Sequence, residues 1–269
     1  MSATFPEQVP WAVIHLPHAS REIPVDLRST FLLDDEALER ELDRMTDHCT
    51  DELFAATNPA VATVRFPVSR FVVDPERFED DADEPMAQRG QGVIYTLTSG
   101  GHSLRHPPAP NEREALLNRF YRPHHARLTA LVSRALEAHG KALIIDGHSF
   151  PDVPLPMERD QRAGRPDICI GTDSLHTPAP LVEALVDTCR VLGWTVRINA
   201  PYAGTIVPRS FFRQEPRVQS VLIEVNRRLY LEPDARPVRR STDFDAVQRG
   251  VDALMDFTVE VERLEGGES

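Results

Sequence analysis

Short apolar runs alternate with longer amphipathic stretches along this chain, and the alternation predicts its elements. Trp11-Ala12-Val13-Ile14-His15-Leu16 is uninterrupted and stops at Pro17, the signature of a strand buried on both faces. Ala142 to Asp146 and Ser220 to Val225 have the same character. Val61 to Phe66 and Arg70 to Val73 read as strands around the Pro67 break, and Asp167 to Gly171 and Thr195 to Ile198 as further extended segments. Between them, Leu38, Leu42, Met45, Cys49 and Leu53 fall on one face of a helix over Asp35 to Phe54. Helices are also predicted over Asn111 to His139, with Gly140 as its C-terminal cap, over Leu181 to Leu192 and over Thr242 to Leu264. Residues 79–112, acidic and then rich in Gly and Pro, predict a long loop with room for one short hairpin, and 151–166 a second irregular stretch.

This order predicts an α/β fold, a single domain over 1–269, with a mixed, mostly parallel sheet flanked by helices. Ligands of such sheets bind outside the carboxyl ends of the strands, so residues placed for chemistry should stand just after the apolar runs. His18 lies two residues past the first, in Leu16-Pro17-His18-Ala19-Ser20, and His148 two past another, in Ile145-Asp146-Gly147-His148-Ser149. Small neighbours leave room around both. Neutral imidazole is the commonest metal ligand, and a catalytic zinc takes three N or O ligands plus an open position. A hydrogen-bonded core histidine explains either residue alone, and the matching pair raises the metal reading to equal weight. Asp146 has the spacing to orient the His148 ring.

Glu224 ends the apolar run Val221-Leu222-Ile223, where a carboxylate is costly unless paired, metal-bound or catalytic. Its bland explanation is an ion pair with Arg227 or Arg228. Asp74 is similarly placed, between Arg70 and Arg77, which have the geometry to grip a substrate carboxylate. Asp47 leaves two readings open. On one continuous helix it is a solvated surface acid, whereas on a new helix starting at Thr46-Asp47 it faces a site or caps N–H groups. His124 and His125 read as polar-face residues of a helix, and His15 has no local context that singles it out.

Composition narrows the function classes. The net charge of −12 argues against nucleic-acid or anionic-membrane partners, which usually call for a basic face. No apolar run approaches the ~20 residues of a membrane span. Met1 to Pro10 has no basic start or apolar core, so no secretory signal is visible. Cys49, Cys169 and Cys189 are widely separated, which disfavours a disulfide framework or thiolate cluster and fits a reducing cytoplasm. Lys141 is the only lysine and lies in no phosphate-loop context, and no G-x-S-x-G is present. Schiff-base, P-loop and serine-hydrolase chemistries are thereby disfavoured.

Several segments, in order, resemble the N-formylglutamate amidohydrolase family. They include Pro17-His18-Ala19-Ser20, Thr46-Asp47, Ser69-Arg70-Phe71-Val72-Val73-Asp74-Pro75-Glu76-Arg77, Tyr121-Arg122-Pro123-His124-His125 and Asp146-Gly147-His148-Ser149. Asp167 to Gly171, Asn199-Ala200-Pro201-Tyr202-Ala203-Gly204 and Ile223 to Tyr230 continue the likeness, which covers about His15 to Leu231. The resemblance implies a zinc-carboxypeptidase-like (phosphorylase/hydrolase-like) fold and hydrolysis of an N-formyl or other N-acyl amino acid by one divalent metal ion, zinc. His18 and His148 would be metal ligands, with Asp47 as the third and Glu22 as the alternative, and Glu224 the general base. Arg77 and Arg70 would bind substrate, with Asn199 and Gly204 beside them. Two departures bear on substrate. Family members often show Asp-Leu-Asn-Arg where this chain has Asp74-Pro75-Glu76-Arg77, and a double glycine where it has Gly204-Thr205. A carboxypeptidase-like or peptidoglycan-directed amidase, or a metal-binding relative without turnover, are the rival readings.

Overall fold

The computed structural model describes residues 9–265, so most of the stretch read for a missing secretory signal lies outside the described residues. In chain order the principal elements are β1 (Ala12–Leu16), α1 (Asp35–Met45), α2 (Thr50–Leu53), β2 (Val61–Arg65), α3 (Pro110–Leu116), α4 (Arg122–His139) and β3 (Ala142–Phe150). They continue as β4 (Ile168–Gly171), α5 (Ala179–Val191), β5 (Val196–Ile198), β6 (Val218–Asn226) and α6 (Phe244–Glu265). The strands form one six-stranded sheet in the order β2-β1-β3-β6-β4-β5, parallel except where β4 runs against β6. The predicted α/β class and mostly parallel sheet are what the structure shows.

Continuous apolar runs arise because helices cover both faces. Successive strand side chains point to opposite sides. Ile14, Ile145 and Ile223 pack with Leu185 of α5 and Val251 and Leu254 of α6. Val13 and Ile144 pack on the other face with Leu128 and Val132 of α4.

Four local readings change. The Asp35–Phe54 helix breaks: α1 ends with Thr46 in extended conformation, and α2 is a separate turn after Cys49 at φ 60°. The run Arg70 to Val73 is a turn rather than a strand, with the Val72 N–H donating to Ser69 O. The Asn111–His139 helix contains a wider turn at Leu117–Tyr121, where the Arg122 N–H reaches Leu117 O next to Pro123, which has no N–H. β3 runs further than its apolar core, so His148 lies within the strand, not beyond it, while Glu224 lies inside β6 as its run suggested.

A candidate metal centre at the strand ends

The chain passes from β1 outward to β2, then crosses back to β3 on the other side of β1. Beyond the carboxyl ends of β1 and β3 this reversal opens a crevice, the usual ligand position in such sheets. His18 and His148 both lie at it. Asp47 is brought there by the break between α1 and α2, where its N–H donates to His18 O at 3.0 Å. Of the two sequence readings of Asp47, the one with a new helix turn comes closer, but the side chain faces the crevice and caps no helix N–H.

Ligand atoms of His18, Asp47 and His148 all lie within 4.8 Å of one another, and the three side chains are buried. Asp47 Oδ2 accepts from the Ser149 N–H at 3.2 Å and lies 3.0 Å from His148 Nδ1 and 3.8 Å from His18 Nδ1. The far ring nitrogens meet carboxylates: His18 Nε2 lies 2.9 Å from Asp74 Oδ1, and His148 Nε2 3.1 Å from Asp146 Oδ1. Outer carboxylates of this kind orient metal-binding imidazoles and raise their basicity. His18 Nδ1, which faces Asp47, is buried with no hydrogen-bond partner. Two imidazoles and a carboxylate with one ring nitrogen left unsatisfied suit a divalent ion.

Electrostatics tightens the group. Burial disfavours charge on Asp47, yet hydrogen bonds from His148 and His18 hold it well below the usual carboxylate range. Burial likewise works against protonated His148, but Asp146 and Asp47 raise it well above an ordinary imidazole. Burial lowers His18, and the Arg70 charge lowers it further.

Glu224 is the β6 register partner of His148, so its side chain leaves the sheet on the same face. Its Oε2 is buried and without a partner. Burial pushes its carboxyl up to about 8, and the neighbouring Asp47 adds to the rise against His148 and Arg227. The ion pair offered by sequence does not form. Arg227 donates to Asp47 Oδ1 at 3.0 Å and Arg44 O at 2.7 Å, while Arg228 takes Asp152 and Asp167, each at 2.7 Å.

Arg70 and Arg77 line the same cavity, of about 540 Å³, together with His18, Asp47, His148, Glu224 and Arg227. Arg70 is committed to Asp74 through Nε (3.2 Å) and Nη2 (2.8 Å), and it touches Tyr95 Oη at 3.0 Å. Arg77 makes a long 3.5 Å contact to Tyr95 Oη and a loose 3.9 Å ion pair from Nε to Asp74 Oδ2, with no hydrogen bond at Nε, so it is the less tightly held of the two cations. Asn199 and Gly204 are not among the lining residues. Asn199 spends its amide on Thr172, while Pro201, Tyr202 and Ala203 form that wall. Glu22 is exposed and joins neither candidate metal group.

Other functional candidates carry little local signal in the sequence. His15, wholly buried, bonds Asp146 Oδ1 at 2.8 Å through Nδ1 and His124 Nε2 at 2.8 Å through its own Nε2. His15, Glu76 and Asp146 form a second group able to hold a cation, though His15 and Asp146 already satisfy each other there. Glu76 lines the cavity, and burial and Asp146 push its carboxyl up to about 8. His15 stands inside an apolar run, where a lone histidine reads as a hydrogen-bonded core residue, so nothing local singles these residues out.

The model of the N-formylglutamate amidohydrolase family matches residues 11–231. A curated N-formylglutamate deformylase of Pseudomonas putida is 27% identical over 226 residues, 82% of this chain and 81% of the relative. The crystal structure of an N-formylglutamate amidohydrolase from Ralstonia eutropha JMP134 superposes with a TM-score of 0.79 at 26% identity, covering 96% of each chain. A gene product of Agrobacterium tumefaciens shares the fold at a TM-score of 0.65 and 18% identity, over 94% of this chain and 92% of the other.

Proposed function

The chain belongs to the N-formylglutamate amidohydrolase family, and from that premise we propose that it is a single amidohydrolase domain hydrolysing N-acyl amino acids. N-formyl amino acids, the class to which N-formylglutamate belongs, are the leading substrates. The observation that carries the reading is the unpartnered Glu224 carboxyl sharing one cavity with His18, Asp47 and His148.

In this reading His18, His148 and Asp47 would hold one divalent ion, zinc. When bound, such an ion supplies Lewis-acid polarisation of a carbonyl and acidifies water toward neutral pH. Glu224 Oε2 accepts the proton of the attacking water and returns it to the leaving amine, a task suited to a carboxyl tuned upward toward the working pH. Arg77 pairs with the substrate carboxylate, and Arg70, locked by Asp74, offsets negative charge at the reacting end. Arg227 donates to Asp47 Oδ1 and holds its other oxygen aimed inward.

Formate release from N-formyl amino acids tests the activity. Chelation should abolish it, zinc should restore it, and His148→Ala should lose stoichiometric metal by elemental analysis. Full turnover by metal-free protein would overturn the metal, and no turnover of any N-formyl or N-acetyl amino acid by the loaded protein would overturn the substrate class.

A further inference from the structure

We propose that the outer part of the cavity reads an apolar side chain, so that the preferred substrate is an N-acyl amino acid with a large apolar side chain rather than an acidic one. The inference rests on the amidohydrolase reading of the same site. Three of the chain's five methionines, Met45, Met86 and Met157, line this one cavity, together with Phe78. Met45 also packs against the core cluster of Phe31, Leu38 and Leu42, whereas Met86 and Met157 are only partly buried and Phe78 is 53% exposed, so these last three supply the apolar surface toward the opening. Methionines beside an aromatic ring make an adaptable, polarisable wall suited to varied apolar groups.

Phe78 follows Arg77 directly in the chain and both line the cavity, so the apolar wall and this guanidinium border the same space.

Charge at that end is mostly spent elsewhere. Glu158 bonds Arg165, Asp160 bonds Arg162 at 2.5 Å, and Glu84 accepts from the backbone N–H groups of Phe78 (3.1 Å) and Met86 (2.8 Å). Arg159, exposed at the rim, is the one cation there without an ion pair among the described residues. An acidic side chain drawn to Arg159 is therefore the rival, and a substrate panel separates the two.

The experiment compares kcat/KM of the zinc-loaded full chain on N-formylphenylalanine, N-formylalanine and N-formylglutamate. N-formylphenylalanine should exceed each of the others by about 10-fold or more. The double variant Met86→Ser/Met157→Ser should lower the phenylalanine-to-alanine ratio by roughly 10-fold. Met157→Leu, which keeps apolar volume, should hold that ratio. A preference for N-formylglutamate, or a ratio unmoved by the double variant, would overturn the apolar reading and leave the amidohydrolase reading standing. Failure to turn over any of the three would remove both.

Discussion

Replacing Glu224 by Gln should move stability and activity in opposite directions, and the first effect has a pH signature set by the structure. In the metal-free protein the Glu224 carboxyl is buried with Oε2 unpartnered, and its pKa is pushed up to about 8. In the unfolded chain a glutamate titrates near ~4.3. Between those values the folded state binds the extra proton, so wild-type stability falls as pH rises through that window. At about 1.4 kcal/mol per pH unit, the accumulated penalty at pH 7 is on the order of 4 kcal/mol. A glutamine carries no such term. Its buried amide adds a pH-independent offset of about 1–3 kcal/mol if unpaired, so the informative quantity is the slope. Urea unfolding of both metal-free proteins at pH 5, 6, 7 and 8 should give curves that diverge with pH, the variant gaining on wild type. In the zinc-loaded enzymes, kcat should fall by roughly 10²–10⁴ with metal still bound. Parallel stability curves would show that the carboxyl is not held in a desolvated site, and an unchanged kcat would return Glu224 to a structural role.

Three further perturbations test the surrounding framework. Arg77→Lys keeps charge but loses the planar fork, so kcat/KM on a free-acid substrate should drop by about 1.5–3 kcal/mol while an amidated substrate, already poor, loses little; equal losses on both would pass the role to Arg70. Arg227→Met frees Asp47 Oδ1 from its 3.0 Å bond and should weaken zinc affinity by roughly 10–100-fold in equilibrium dialysis, and an unchanged dissociation constant would refute the positioning argument. Burial, reinforced by His15, lowers His125 to about 4, so the fold holds it neutral while the unfolded chain protonates from about pH 6.5 downward. Its contribution is intact above about pH 6.5 and is lost as pH falls toward 4, and His125→Gln should flatten that acid limb by up to about 3 kcal/mol, a change that identical urea midpoints at pH 5 would contradict.

What the sequence by itself determined follows from local periodicity. Strands covered on both faces are apolar on both, which is why β1, β3 and β6 are legible as near-continuous apolar runs. Polar residues at the ends of such runs are conspicuous, and local pattern alone is enough to single out His18, His148 and Glu224. Tertiary structure decided whatever depends on register or on a distant partner. Helical spacing carries through Cys49 and Leu53, but α1 stops at Thr46 because the Asp47 N–H turns to His18 O. That single contact moves Asp47 from the surface reading into the crevice. The register of β6 on β3 sets Glu224 beside His148, and Asp47 draws off the Arg227 that would have paired with it. His15 and His124 lie far apart in sequence, one in a strand and one on a helix, and only the packing of α4 on the sheet brings their Nε2 atoms to 2.8 Å. A local pattern records how each residue meets its own element, while the partner of a buried polar group is chosen by the fold as a whole.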